Sequence, residues 1–226
     1  MINRIYANDK RFKAIELKAG LNVIVADRQK ESDDKDSRNG VGKTTLINII
    51  HYCLGADLNR KLLPVDEIED WTFYCDIDLS GSNIVISRAI SNAGVIEVVG
   101  DTSNFPITPE VDEKTGVVFY KLSDWKKLLG ICLFGLKSIT ESKYTPTFRG
   151  LLPYFVRVGM DAYSSPFSYF RNQKSWQVQV SNAFLLGLNW KYATDSQILK
   201  DKAAAAKALN TAINTSIVQS KGELEA

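Results

Sequence analysis

One histidine, His51, is all the imidazole chemistry that the 226-residue chain offers. No nucleophile or carboxylate stands at useful spacing from it, so a structural or surface role is expected, not catalysis. Cysteine is scarce as well. Cys53, Cys75 and Cys132 are odd in number, scattered, and set in apolar segments. They read as buried free thiols in a reducing compartment, and no metal-binding spacing is present. Net charge is nearly absent. The 28 Lys and Arg against 26 Asp and Glu leave +2, which makes no case for nucleic acid or a membrane surface. No stretch approaches the ~20 apolar residues of a membrane span. Met1 to Tyr6 lacks the apolar core of a signal peptide, so a cytoplasmic protein is expected. From Lys191 onward proline is absent, and the last aromatic is Tyr192.

What is present is ordinary in bulk and specific in one place. With 45% hydrophobic and 24% charged residues, the chain can build a sizeable core. The specific stretch is Ser37-Arg38-Asn39-Gly40-Val41-Gly42-Lys43-Thr44-Thr45. An apolar run, Leu21 to Ala26, precedes it across the charged insert 27–36, and Leu46 to Ile50 follows. Strand, loop, helix is the context of a phosphate-binding P-loop. Gly40 and Gly42 can aim successive N–H groups at an anion with no side chain in the way. Lys43 would reach the β- and γ-phosphates, and the Thr44 hydroxyl would complete the shell of a Mg²⁺ ion. A helix beginning near Lys43 points its positive end at the phosphates. Arg38, Asn39, Gly40, Val41, Gly42, Lys43, Thr44 and Thr45 are therefore the candidate ATP-binding residues, with Thr44 the candidate Mg²⁺ ligand. Ser37 stands where the written G-x-x-x-x-G-K-[ST] pattern has its first glycine. The insert Asp27 to Asp36 reads either as a solvated loop or as a flap over the nucleotide.

Patterning predicts strands at 2–6 and at Arg11–Leu17, with Leu21–Ala26 a central one. The P-loop helix is expected to run to about Leu54, with Gly55 as its C-terminal cap and Leu46, Ile50 and Leu54 on one face. Phe73, Cys75, Ile77 and Leu79 alternate, a turn follows at Ser80–Asn83, and Ile84–Ile90 returns, with Gly94–Val99 a third strand of a β-meander. Leu79 to Asn83 faintly resembles the Leu-Ser-Gly-Gly signature of ABC ATPases, but lies on a hairpin. Asp76 and Asp78 sit on the exposed parity of their strand and are not assigned to Mg²⁺. Val117 to Tyr120 reads as a short strand. Ser123 is a candidate cap for a helix through Trp125, Leu128, Leu129 and Leu133. Trp176 to Leu188 reads as an apolar helix with Val180, Phe184 and Leu188 on one face. From Lys191 the alanine-rich chain predicts one long helix with a weak heptad.

The order of β-lobe, Asn-Gly-x-Gly-Lys-Thr loop, meander, helical segment and exit helix resembles the N-terminal half of an ATPase head of the SMC/RecN/Rad-fifty class, which is ABC-like. Asn39 to Thr44 carries that resemblance. The stretch from Ala26 to Thr44, with Phe184-Leu185-Leu186-Gly187-Leu188, is similar to the bacterial ABC three-component and Lamassu-type defence ATPases. The resemblance implies an α/β P-loop NTPase fold over 1–190 and the start of a coiled-coil arm at 191–226. It implies ATP and Mg²⁺ as cofactors and a second copy of the ATPase as head-to-head partner. DNA, a nuclease or other effector, and a small middle subunit are the further implied partners. In that family the Walker B acid pair, signature loop and switch histidine lie beyond the coiled coil, so the catalytic residues are expected outside this chain. A family Q-loop glutamine has Gln173, Gln177 and Gln179 as nearby candidates. ATP hydrolysis is expected only on completion by that second half. Two other readings stay open: a self-contained small P-loop kinase or NTPase, and a non-catalytic interaction module.

Overall fold

The computed structural model describes residues 1–25, 42–137 and 143–224, with side chains through 215. The chain divides into two compact units. One is Met1–Ser138 with Thr147–Arg171; the other is Ile139–Pro146 with Asn172–Ala226.

The first unit is an antiparallel sheet backed by helices. Its strands are β1 (Ile2–Ala7), β2 (Ile15–Glu16), β3 (Thr72–Leu79), β4 (Ser82–Ala89), β5 (Val95–Gly100), β6 (Glu110–Val111) and β7 (Val118–Lys121), in the order β2-β1-β3-β4-β5-β7-β6. The expected meander β3-β4-β5 is its centre, and every pairing is antiparallel. Alternation decides which side chains go inside. Phe73, Cys75, Ile77 and Leu79 are buried from β3, and Ile84, Ile86 and Arg88 from β4. The β3–β4 turn is two residues, Ser80 and Gly81, with φ of 53° and 84°. Both are left-handed, which is what a type I′ hairpin turn demands of its central pair.

Helices α1 (Lys43–Cys53) and α2 (Leu122–Phe134) pack on the sheet's apolar face through Ile49, Tyr52, Cys53, Trp125, Leu128 and Leu129. The buried stripe of α1 is centred on Ile49 and Cys53, with Leu46 and Leu54 at its margins and Ile50 half-buried. Gly55, at φ 84°, follows the C-cap as expected. Trp125 donates its indole N–H to the Cys53 carbonyl at 3.1 Å, tying the two helices together. Burial pushes the Cys53 thiol up to about 12 and also raises Cys75. Both are inert core groups, as expected.

Three expectations change. Leu21 to Val25 forms no strand: Leu21 is 93% and Val25 76% exposed. Its apolar content signals a need for burial, but a strand also needs a ladder partner, and none pairs with it among the described residues. Arg11–Leu17 shortens to the two residues of β2, because Asp9 and Arg11 take up a turn: the Arg11 N–H donates to Asp9 at 2.8 Å. Ser123 caps nothing. β7 runs straight into α2 through Lys121, and the Leu122 N–H is taken by the Gly94 carbonyl at 2.8 Å.

Between residues 148 and 171 a short helix, α3 (Phe148–Leu151), gives way to 3₁₀ turns and irregular chain. Arg157 organises it by donating to the carbonyls of Tyr154 (3.1 Å), Ser165 (2.9 Å), Pro166 (2.9 Å) and Ala162.

The second unit holds α4 (Ser175–Leu185) and the 34-residue α5 (Lys191–Leu224). The long helix is as expected. On α4 the buried residues are Val180 and Ser181, while Leu188 lies beyond the helix end and is exposed. The root of α5 is clasped: Thr194 donates to the Tyr144 carbonyl at 2.8 Å, and Asp201 accepts from Tyr144, Lys143 (3.2 Å) and Gln197 (2.9 Å). Leu199 within that stretch, and Leu209 and Ile213 past it, are exposed.

Candidate nucleotide site

Arg38, Asn39, Gly40 and Val41 lie outside the described residues, as do Ser37 and the insert 27–36. The rest of the motif opens α1. Gly42 is its N-cap with φ 79° and ψ 5°, and a Cβ there would meet nothing within 4 Å. The glycine is therefore demanded by its left-handed backbone and not by crowding. The first intrahelical hydrogen bond runs from the Leu46 N–H to the Gly42 carbonyl at 2.8 Å. Lys43 and Thr44 are exposed on the first turn and Thr45 is half-buried. No acidic residue occupies that turn, so no side chain within it offsets the positive end of the helix.

This helix end borders a cleft of about 520 Å³. Arg11, Phe12, Lys13 and Trp71 line it beside Gly42 and Lys43, and Glu67 stands on the same wall. The Arg11 guanidinium lies 5.0 Å from the centre of the Trp71 ring and grips Asp9 through three hydrogen bonds, of 3.1, 3.1 and 2.8 Å. Those bonds hold the Asp9 carboxyl below its ordinary value. Phe12 and Trp71 both pack on Phe73, with ring centres 5.8 Å apart in each pair. The cleft thus combines a helix N-terminus, three cationic side chains and an aromatic wall. That combination suits a ligand with an anionic tail and a flat apolar head.

Sequence reasoning found Gly42 to Thr45 and missed Arg11, Lys13 and Trp71. Arg11 and Lys13 lie 60 and 58 positions from Trp71 along the chain, and the β1–β3 pairing brings the two stretches together. Asn8 closes that junction, accepting from the Thr72 N–H at 2.9 Å and donating to the Asp70 carbonyl at 3.0 Å. No group of three or more His, Cys, Asp or Glu among the described residues could hold a metal ion. Mg²⁺ prefers one or two protein ligands plus phosphate oxygens, and the exposed Thr44 can supply such a ligand.

Asp76 and Asp78 stand on the outward side of β3, opposite the core. Leu79 to Asn83 lies on the β3–β4 hairpin, as expected. Gln177 and Gln179 lie on α4, and Gln173 precedes it, all in the second unit. His51 is buried, and its Nε2 hydrogen-bonds the Val156 carbonyl at 2.9 Å, a structural role. No family model, curated protein or solved structure matches this chain. No helix among the described residues is long and apolar enough to cross a membrane.

Proposed function

We propose that this chain is the ATP-binding half of an SMC-like ATPase head. The observation that carries it is a left-handed Gly42 opening a helix whose first turn exposes Lys43 and Thr44 to a cationic, aromatic-walled cleft. Phosphates at the helix end are met by backbone N–H groups and by the Lys43 ammonium. Thr44 would supply one ligand to Mg²⁺, which when bound would neutralise phosphate charge. The aromatic wall around Trp71 and Phe12 takes the base.

Two apolar features support a head completed by further chain. Leu21 to Val25, which no strand among the described residues pairs with, offers exposed apolar side chains to a sheet partner. Along its length α5 carries exposed Leu199, Leu209 and Ile213, which suit a coiled-coil arm. Two such heads then sandwich ATP, and nucleotide state is passed to DNA and to an effector, in a bacterial defence role.

The test is light scattering of the chain with ATP and Mg²⁺, alone and with a completing C-terminal half, against Lys43→Ala. ATP-dependent pairing that needs both Lys43 and the second half is expected. ATP turnover by the monomeric chain alone would instead assign a small self-contained NTPase. Pairing indifferent to Lys43→Ala would leave a scaffold.

A further inference from the structure

The other flank of α1 borders a second cleft, of about 340 Å³. Its walls are largely apolar, with Leu62, Pro153, Val156, Val158 and Phe170 contributing. Into this wall two basic groups are set side by side, Arg149 and the buried His51. The Val156 carbonyl, 2.9 Å from His51 Nε2, has no proton to give, so Nε2 carries the proton and donates. Nδ1 is then the lone-pair side of a neutral imidazole, and both terminal nitrogens of Arg149 reach it at 3.3 Å. Burial and the neighbouring Arg149 hold His51 below its ordinary value, in agreement with that tautomer.

Arg149 is therefore a cation facing a neutral acceptor. Among the described residues no carboxylate lies within ion-pair distance of it. Asp57 lines the same cleft, but its carboxylate is mostly solvent-exposed and pairs with Lys126 at 2.9 Å. Burial lowers the Arg149 value as well, as expected of a guanidinium drawn from water without a matching anion. A guanidinium carries five N–H donors, and two long bonds to one lone pair use few of them.

We propose that this cleft binds a carboxylate carried on a small apolar or aromatic body, with Arg149 as its anion anchor and the apolar wall holding the body. A planar carboxylate matches the fork of a guanidinium. The volume suits a ligand of about ten heavy atoms, by the usual scale of small-molecule pockets. Its lining shares only Leu63 with that of the nucleotide cleft and does not include Lys43.

His51 is a built-in reporter, because it is the chain's one histidine. In the full chain labelled with ¹⁵N, phenylacetate is titrated while the two imidazole nitrogens are observed by NMR. Engagement of Arg149 by the carboxylate weakens its bonds to Nδ1, so a saturable Nδ1 shift is expected. The neutral isostere 2-phenylethanol and plain acetate are each expected to bind at least about tenfold more weakly, since one lacks the charge and the other the body. Arg149→Gln is expected to lose about tenfold or more in affinity. Val158→Phe keeps Arg149 and fills the cleft, and is expected to abolish binding even if Arg149→Gln folds poorly. No saturable shift with phenylacetate, equal affinity for 2-phenylethanol or acetate, or full affinity in the Val158→Phe chain would each overturn the proposal.

Discussion

Arg88 is 1% exposed, in the middle of a hydrophobic core. It survives there because every side of its guanidinium is used. It donates to the carbonyls of Ala93 (2.9 Å), Ala56 (2.7 Å) and Tyr52, and lies 4.0 Å from the Tyr52 ring centre. Tyr52 and Ala56 flank the C-terminus of α1, so the cation also meets the negative end of that helix. Arg88→Met is expected to cost about 3 kcal/mol by denaturant unfolding, since it strands buried carbonyls. A loss below about 1 kcal/mol would mean that water replaces the guanidinium. His51 yields a pH prediction. Its folded-state value is lowered, by burial first and Arg149 second, while the unfolded chain titrates near ~6.5. The unfolded state therefore binds the extra proton first as pH falls. Stability is full above about 6.5 and is lost as pH falls below it, toward the lower folded value. Thermal midpoints between pH 7.5 and 5.5 should drop in the native chain and stay flatter in His51→Gln, whose amide can still donate to Val156. Equal slopes would place the titration elsewhere.

At the level of elements, alternation and helical periodicity were legible wherever an element packs on its sequence neighbours. The β3–β4 hairpin, the extent of α1 and the long α5 were all readable before the fold was in hand. The burial of Arg88 was not read, although it shares parity with Ile84, Ile86 and Ile90. Most of the misses trace to a partner remote in sequence, and β2 is the local exception. β2 is short because the Asp9–Arg11 turn consumes its start, and Arg11 reaches Trp71 only across the β1–β3 pairing. Leu21 to Val25 is the sharpest instance, since an apolar run says nothing of where its ladder partner is. That run leaves a testable consequence. Val23 is 72% exposed, so Val23→Lys removes no core packing and should change the unfolding midpoint by less than about 0.5 kcal/mol. If the segment is an edge seeking a sheet, the same change should suppress concentration-dependent association, as charge on an edge strand does. Sedimentation at several protein concentrations measures this, and unaltered association in Val23→Lys would remove the segment from any interface.

For the molecule as a whole, the weight of the functional proposal rests on the first unit, where the motif's described residues, the cleft and the sheet's β1–β3 junction are built from one core. A ligand that binds only this folded arrangement must stabilise the chain by mass action, whatever else it triggers. At a hundredfold excess over its dissociation constant the gain is about 2.7 kcal/mol. For a chain of this size that raises the thermal midpoint by roughly 5–10 °C. ATP with Mg²⁺ should produce that rise in the native chain. Lys43 is exposed and outside the core, so Lys43→Ala should leave the ligand-free midpoint unchanged and remove most of the rise. Trp71→Ala separates the head of the ligand from its tail. It should weaken ATP while leaving inorganic triphosphate nearly unaffected, because the phosphates are held by the helix end and Lys43. A rise of equal size in the Lys43→Ala chain would detach nucleotide binding from the motif, and the cleft beside α1 would then need another ligand.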